Sequence, residues 1–253
     1  MLKSKINSPL RIVSVVPSQT EFLYTLGLDD EVVGITKFCV HPNSWYKSKT
    51  RVGGTKTLNI EQIKQLNPTL ILANKEENVK EQIEALRDIC PVYVSDISTF
   101  DDALMMMDVI GQMTNKHEMA RELIEQLRFQ STQYQKKQDP RSVLYLIWQK
   151  PYMAAGTNTF IHTMLKLGGW KNSVVLSRYP ELTEEQIKIL NPGLVFLSSE
   201  PFPFKQKHIN LIQTMLPEAK VILVDGELFS WYGSRMLHSF NYFKTLHEKL
   251  DIT

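Results

Sequence analysis

Two stretches of this chain are near copies of each other, and that repeat limits the fold more than any other feature. Leu58–Leu72 reads LNIEQIKQLNPTLIL and Leu182–Phe196 reads LTEEQIKILNPGLVF. Glu61, Gln62, Ile63, Lys64, Leu66, Asn67, Pro68 and Leu70 return in order as Glu185, Gln186, Ile187, Lys188, Leu190, Asn191, Pro192 and Leu194. Each copy opens with a capping box, Asn59 with Gln62 and Thr183 with Gln186. Each closes on Asn-Pro, which stops a helix, and continues into an apolar run suited to a buried strand. The likeness extends further, because Cys90–Asp96 (CPVYVSD) answers Ala219–Asp225 (AKVILVD), each a strand ending in an acid. A shared cap, stop and following strand mark two related halves rather than two chance amphipathic helices.

Between the copies lies a stretch from Asp101 to Lys137 that reads as helix almost throughout. Ser98 and Asp101 supply an S-x-x-D start. Ala103, Leu104, Met107 and Ile110 form one apolar stripe, and Met119, Ala120, Leu123, Ile124 and Leu127 a second. Thr114 and Asn115 read as a pause with a fresh cap. The uninterrupted part, Lys116–Lys137, would reach about 33 Å.

On both sides of this segment strands and helices alternate, which predicts mostly parallel sheets covered by helices. Arg11–Val16 opens the first half and Ser142–Trp148 the second. Ser18 and Glu21 predict another capping box at the first helix. The expected fold class is therefore α/β, with two Rossmann-like lobes joined by one long backbone helix. The boundaries fall at 1–100 for the first lobe, 101–138 for the linking helix and 139–253 for the second lobe. Ligands of such sheets bind beyond the carboxyl ends of strands, so the loops there are expected to face a shared cleft.

Charge and composition exclude some functions. Twenty-nine basic against 27 acidic side chains give a formal net charge of +2, with no basic stripe interleaved with aromatics, so nucleic acid is not an expected partner. No apolar run reaches membrane-spanning length, and the chain is not expected to cross a bilayer. The first residues carry basic groups without a continuous apolar stretch, so they do not read as a signal peptide, and taken alone this points to the cytoplasm. The two cysteines, Cys39 and Cys90, lack metal-ligand spacing. His117, His162, His208, His238 and His247 are scattered without it as well. No nucleophile elbow, P-loop or H-E-x-x-H occurs, and catalysis is not expected.

A first strand ending in V-x-P-S-x-T-E, the G-I-T-x-x-C-x-x-P loop, a Gly-Gly turn before N-x-E-x-I, two L-N-P-x-L units and a central helix together resemble the class III substrate-binding proteins of ABC transporters. These are helical-backbone metal receptors for vitamin B12, haem and siderophores. The likeness runs from Arg11 to about Leu246, and the pattern is most similar to the cobalamin-binding branch. Cys39-Val40-His41-Pro42 stands where that branch usually has C-D-Y-P, and Trp231–Arg235 resembles its W-F-x-x-x-S-P-R segment. The resemblance implies a receptor without intrinsic cofactor, monomeric, that captures a corrinoid or related metal chelate and delivers it to an ABC permease from the periplasm or cell surface. A ferric-siderophore or haem receptor is the alternative. A cytoplasmic enzyme or chaperone handling corrinoids or metallated tetrapyrroles is the second alternative.

The candidate ligand-binding residues are Ser18, Thr20, Cys39, His41, Trp148, Trp231, Tyr232 and Arg235. His41 has the chemistry of an axial ligand to cobalt or iron, or equally of a loop histidine bonded to its neighbours. Cys39 reads more readily as a small buried residue than as a thiolate ligand. Trp231 and Tyr232 offer faces to a flat macrocycle, and Arg235 a fork for its edge groups, or the three form a packing cluster. Ser18 and Thr20 sit where helix-end donors would point into the cleft. Glu76, Glu77 and Glu200 follow the repeated strands, with Glu76 and Glu200 at equivalent positions. The resemblance implies that such acids dock to permease arginines, whereas ordinary surface charge is the plainer reading.

Overall fold

A computed structural model describes residues 9–134 and 139–251. In chain order the first half contains β1 (Ile12–Ser14), α1 (Pro17–Thr25), β2 (Val32–Ile35), α2 (Asn43–Ser48), β3 (Thr50–Arg51), the small hairpin β4 (Gly53–Gly54) and β5 (Thr57–Leu58), α3 (Ile60–Gln65), β6 (Leu70–Asn74), α4 (Lys80–Arg87) and β7 (Val92–Ser95). Its sheet runs β3-β2-β1-β6-β7 with every pair parallel. Val13 of β1, Val15 just beyond it, and Ile71 and Ala73 of β6 cluster with Ile63 of α3 and with Ile83 and Leu86 of α4. Covering both faces with helices buries strands completely, which is why β6 carries no exposed residue.

Two helices follow, α5 (Phe100–Met113) and α6 (His117–Tyr134). Thr99, not Ser98, caps α5. The Thr99 hydroxyl accepts from the Asp102 N–H at 3.1 Å, and the Asp102 carboxylate accepts from the N–H groups of Thr99 and Ser98. The expected box is real but displaced by one residue, because Asp102 reaches two N–H groups and the Ser98 hydroxyl at once. The pause at Asn115 is a full stop. Asn115 takes φ 57, Lys116 N–H returns to Gly111 O and Asn115 N–H to Gln112 O, the paired bonds of a Schellman turn. Gly111 lets the next helix close on this turn, since a Cβ there would stand 2.6 Å from Ala120. The uninterrupted rod is therefore α6, 18 residues and about 27 Å long; the expected end at Lys137 lies outside the described residues. Met119, expected in the apolar stripe, is 42% exposed.

The second half contains β8 (Ser142–Trp148), β9 (Tyr152–Ala154), α7 (Phe160–Leu167), β10 (Lys171–Asn172), β11 (Glu181–Leu182), α8 (Glu184–Leu190), β12 (Leu194–Ser198), α9 (Gln206–Met215), β13 (Lys220–Val224), α10 (Glu227–Ser230) and α11 (Met236–Asp251). Its sheet runs β11-β9-β8-β12-β13, with β10 beside the start of β8. The order β10-β8-β12-β13 repeats β2-β1-β6-β7, all parallel. β9 and β11 are the departure, an antiparallel pair added at the edge. The two repeat strands β6 and β12 lie in different sheets, as two halves require. Asn67 and Asn191, before their prolines, both adopt left-handed backbone, φ 47 and 40.

The caps of the repeat differ in one respect. Thr183 and Gln186 form the reciprocal box. Asn59 accepts from Gln62 N–H at 3.0 Å, but its own N–H is already given to Val52 O at 2.9 Å, so the return half is not made. The Ser18–Glu21 box does not form either, because Pro17 occupies the first helical position and moves Ser18 inside α1.

Contact density divides the chain into two compact units. The first holds residues through Ile97 with Leu104–Ile124 and Tyr232–Ser234; the second holds Ser98–Ala103, Glu125–Trp231 and residues from Arg235 onward. The helical segment is thus shared out between the units, where the sequence boundaries set it apart as 101–138.

At the start of the second unit Asp139, buried, accepts from Arg141 through Nε at 2.9 Å, Nη2 at 2.7 Å and the backbone N–H at 2.9 Å. Burial alone would raise this carboxyl, and the Arg141 bonds and charge outweigh it, leaving its pKa below the usual aspartate range. A depressed folded pKa contributes stability that is present above the unfolded value, about 3.9, and lost as pH falls through the folded value. Asp139→Asn should therefore be less stable than the parent at neutral pH, with the difference shrinking below about pH 4. Urea melts of both proteins across that range read this, and a difference independent of pH would remove the ion pair as its cause.

Candidate functional site

Every parallel strand ends its carboxyl side in a loop, and these loops are the candidate site of each unit. In the first unit β1 runs into Pro17–Thr20, β2 into Thr36–Pro42 and β6 into Asn74–Asn78. A buried polar group underlies the first two. Thr20 Oγ1 donates to Val16 O at 2.9 Å and lies 2.8 Å from Ser14 Oγ and 3.1 Å from Cys39 Sγ, which in turn is 3.2 Å from Thr36 Oγ1. Thr20 and Cys39 are fully buried, and burial pushes the Cys39 thiol up to about 11. Both side chains pack inward to shape the loop. The Thr20 hydroxyl satisfies the turn beneath it, and the burial of Cys39 agrees with its reading as a small buried residue. Ser18 is buried as well.

What this loop presents to solvent is Phe38, 49% exposed, and Val40, with Lys37 Nζ 5.2 Å from the Phe38 ring centre. His41 follows, half-buried, ahead of a cis bond to Pro42.

The loop after β6 is locked by asparagines. Asn74 Oδ1 accepts the N–H of Glu76 at 2.8 Å and of Glu77 at 3.2 Å, while Asn78 Oδ1 accepts Asn74 N–H at 2.8 Å. Gln19 and Asn74 both donate to Ser95 Oγ, at 2.7 and 3.0 Å. Tyr232 enters this network, its hydroxyl donating to Glu77 at 3.3 Å. Burial, then the Glu77 charge, drives the Tyr232 phenol well above the usual tyrosine range.

The second unit repeats the turn with a smaller residue. Ser198, at the place of Asn74, accepts from Glu200 N–H at 3.3 Å, as Asn74 does from Glu76. Glu200 is half-buried. Its Oε1 accepts from Ser230 Oγ at 2.7 Å and from Trp231 Nε1 at 3.0 Å. Burial raises the Glu200 carboxyl, Ser230 and Trp231 oppose this, and the nearby charges of Glu227 and Asp225 add to the rise. Gly226 makes the close approach possible, because a Cβ there would stand 2.3 Å from Ser198 Oγ. Arg235 pairs with Glu227 at 2.7 Å and lies 4.9 Å from the Trp231 ring centre.

Trp231 and Tyr232 are 7% and 5% exposed. Their polar edges are bonded to Glu200 and Glu77, an arrangement in line with the packing-cluster alternative. An exposed aromatic at a strand end of this unit is Trp148, 39% exposed, set edge-on to Phe202 at 5.5 Å between ring centres. Phe202 was not singled out by sequence; its place in the loop after the repeated strand β12 is the signal that would have found it. Ser230 and Glu227 were likewise missed, since nothing local distinguishes them from the ordinary ends of a short helix.

The sequence profile of the periplasmic binding protein family matches residues 12–214. The chain belongs to that family. Among relatives in the family, an uncharacterized ABC transporter substrate-binding lipoprotein of Bacillus subtilis, YvrC, is 28% identical over 199 residues, which cover 74% of this chain and 63% of the lipoprotein. The chain thus spans under two thirds of that relative's length. The vitamin B12-binding protein of Yersinia pestis is 28% identical, with 74% and 69% covered. Among solved structures, the periplasmic heme-binding protein HutB of Vibrio cholerae superposes with a TM-score of 0.80 at 26% identity, covering 94% of this chain and 99% of that one. The vitamin B12-binding protein BtuF of the same organism gives 0.79 at 23% identity, with 94% and 97% covered, a likeness of fold. No helix among the described residues is long and apolar enough to cross a membrane.

Proposed function

We propose that this family member is the substrate-binding receptor of an ABC importer and that its ligand is a corrinoid or related metal chelate. It acts by capture and release outside the cytoplasm, as a monomer, without catalysis. The observation that carries the reading is the pair of strand-end loops that present apolar and aromatic surface, Phe38, Val40 and His41 in one unit and Trp148 with Phe202 in the other. Flat, largely apolar chelates are held by such faces, with few polar groups to fix orientation. Relatives named for vitamin B12 support the corrinoid. Haem is the second reading, favoured by the HutB likeness and by the imidazole of His41, a good ligand for iron.

Purified protein incubated separately with cobalamin, haemin and a ferric siderophore, then freed of unbound ligand, should retain one of them, read by its visible spectrum. Retention of none would sink the reading. The Trp148→Ala variant should bind the retained ligand about 2 kcal/mol more weakly, some thirtyfold, as truncation of a stacking aromatic does. If the ligand is haem held by His41, His41→Ala should also move its absorption bands. Unchanged affinity in folded Trp148→Ala protein would take Trp148 out of the site.

A further inference from the structure

The loop between β12 and α9 carries Phe202 and Phe204, and a histidine closes the group. The two phenyl rings stand 4.8 Å apart between centres, and the His208 imidazole meets them edge-on at 5.3 and 5.4 Å. Trp148 meets Phe202 in turn. Phe202 N–H donates to Ile147 O at 3.4 Å, which ties the loop to the strand that ends in Trp148. All of these residues belong to the second unit.

His208 is 6% exposed and is the third residue of α9, the position where a capping box places Glu or Gln. Its Nδ1 accepts the Lys205 backbone N–H at 2.7 Å. A backbone N–H can only donate, so Nδ1 is bare and the ring proton is on Nε2. The chain makes the same bond with an amide at α8, where Gln186 accepts from Thr183 N–H at 2.8 Å. Glutamine keeps that acceptor at any ordinary pH. Imidazole does not, because a proton at Nδ1 turns the acceptor into a donor that faces another donor.

Burial and then the Lys207 charge lower the His208 pKa, and the Lys205 charge adds to this against a rise from the Lys205 backbone. The charged groups acting on the ring are therefore both cations. Glu200, in the same loop, is bonded to Ser230 and Trp231, and Tyr152 of β9 shares a core cluster with Phe204.

We propose that His208 is a positioning residue for the Trp148–Phe202 surface: its neutral imidazole holds the turn 202–205 on the start of α9, and a proton at Nδ1 lets the turn go. The held form binds the proton less readily than the released one. The hold is therefore complete above about pH 6.5, the ordinary histidine value, and is lost as pH falls through the lowered value. Capture of a ligand on this surface then weakens in acid. That consequence rests on the ligand surface of the proposed function, whereas the hold itself is read without ligand, so the two fail separately.

In protein labelled with nitrogen-15, the His208 ring, assigned through its own backbone in α9, should show a bare Nδ1 at neutral pH. Its titration should share one midpoint with the Lys205 amide and with the Trp148 indole, the latter assigned by its loss in Trp148→Phe. In His208→Gln the acceptor is kept without the titration, and the Trp148 indole should lose that midpoint. The affinity of the parent for its retained ligand should fall between about pH 7 and pH 5 by about threefold more than that of His208→Gln. A protonated Nδ1 in the neutral ring, or a Lys205 amide that ignores the His208 midpoint, would overturn the proposal in the parent protein alone. So would a Trp148 indole that titrates unchanged in folded His208→Gln protein. Equal pH dependence of affinity in the two proteins, with the indole midpoint lost in the variant, would overturn the consequence for capture and leave the hold standing.

Discussion

Replacing Glu76 and Glu200 together by glutamine should reduce transport through the cognate importer by about a hundredfold while ligand capture stays at the parental level. Each close charge pair across a docking surface is worth about 1.5 kcal/mol or more, and two such pairs multiply. The turns that carry them are built alike, Asn74 to Glu76 and Ser198 to Glu200, so the pair is a product of the repeat. Glutamine is the appropriate replacement because Glu200 is largely enclosed by Ser230 and Trp231, and a lysine there would test burial of a cation instead. Uptake into proteoliposomes holding the importer reads the first quantity and a ligand titration the second. Normal uptake by the double variant would leave these carboxylates as ordinary charge.

The second large effect concerns stability. Trp170→Ala should cost about 3–5 kcal/mol, the range for removing a large buried aromatic. The Trp170 indole lies flat on His247, ring centres 4.4 Å apart and 7° from parallel, and meets Phe196 and Phe243 edge-on at 5.3 and 5.5 Å. His247 is itself fixed, its Nε2 2.7 Å from Gly168 O, and a Cβ on Gly168 would stand 2.3 Å from the Trp170 ring. The surrounding side chains are held by several partners each and have little room to collapse into the void. Urea denaturation followed by far-ultraviolet circular dichroism measures the loss. A cost below about 1 kcal/mol would show that the cluster relaxes freely.

The repeat was legible because its signals are local and physical. An asparagine before proline stops a helix in either half, and a side-chain cap starts one. Those features account for α3 and β6 in one half and α8 and β12 in the other, all of which fall in or at the end of the two repeated stretches. The edge strands β9 and β11 were not legible, since two- and three-residue strands have no periodicity of their own. The register error at Thr99 arose because Ser98 and Thr99 both offer a hydroxyl, and only the fold decides which carboxylate answers. The site was read less well than the fold. Aromatic type at a strand end singled out Trp148 and Trp231 alike, but sequence does not say which ring already has a partner. Glu200 and Glu227 bond to Trp231 and Arg235, and neither pairing can be read from spacing along the chain.

The two Asn-Pro stops have a chemical consequence for the ageing of the protein. Asparagine ordinarily deteriorates when the nitrogen of the following residue attacks its side-chain carbonyl, closing an imide and expelling ammonia. Left-handed asparagines in exposed turns are candidates for such decay. At Asn67 and Asn191 the following nitrogen belongs to proline, which has no hydrogen to lose and is already tied into a ring. The residue that ends each repeated helix is thus protected from the usual route to isoaspartate, and the turns that lead into both central strands keep their covalent backbone over a long service life.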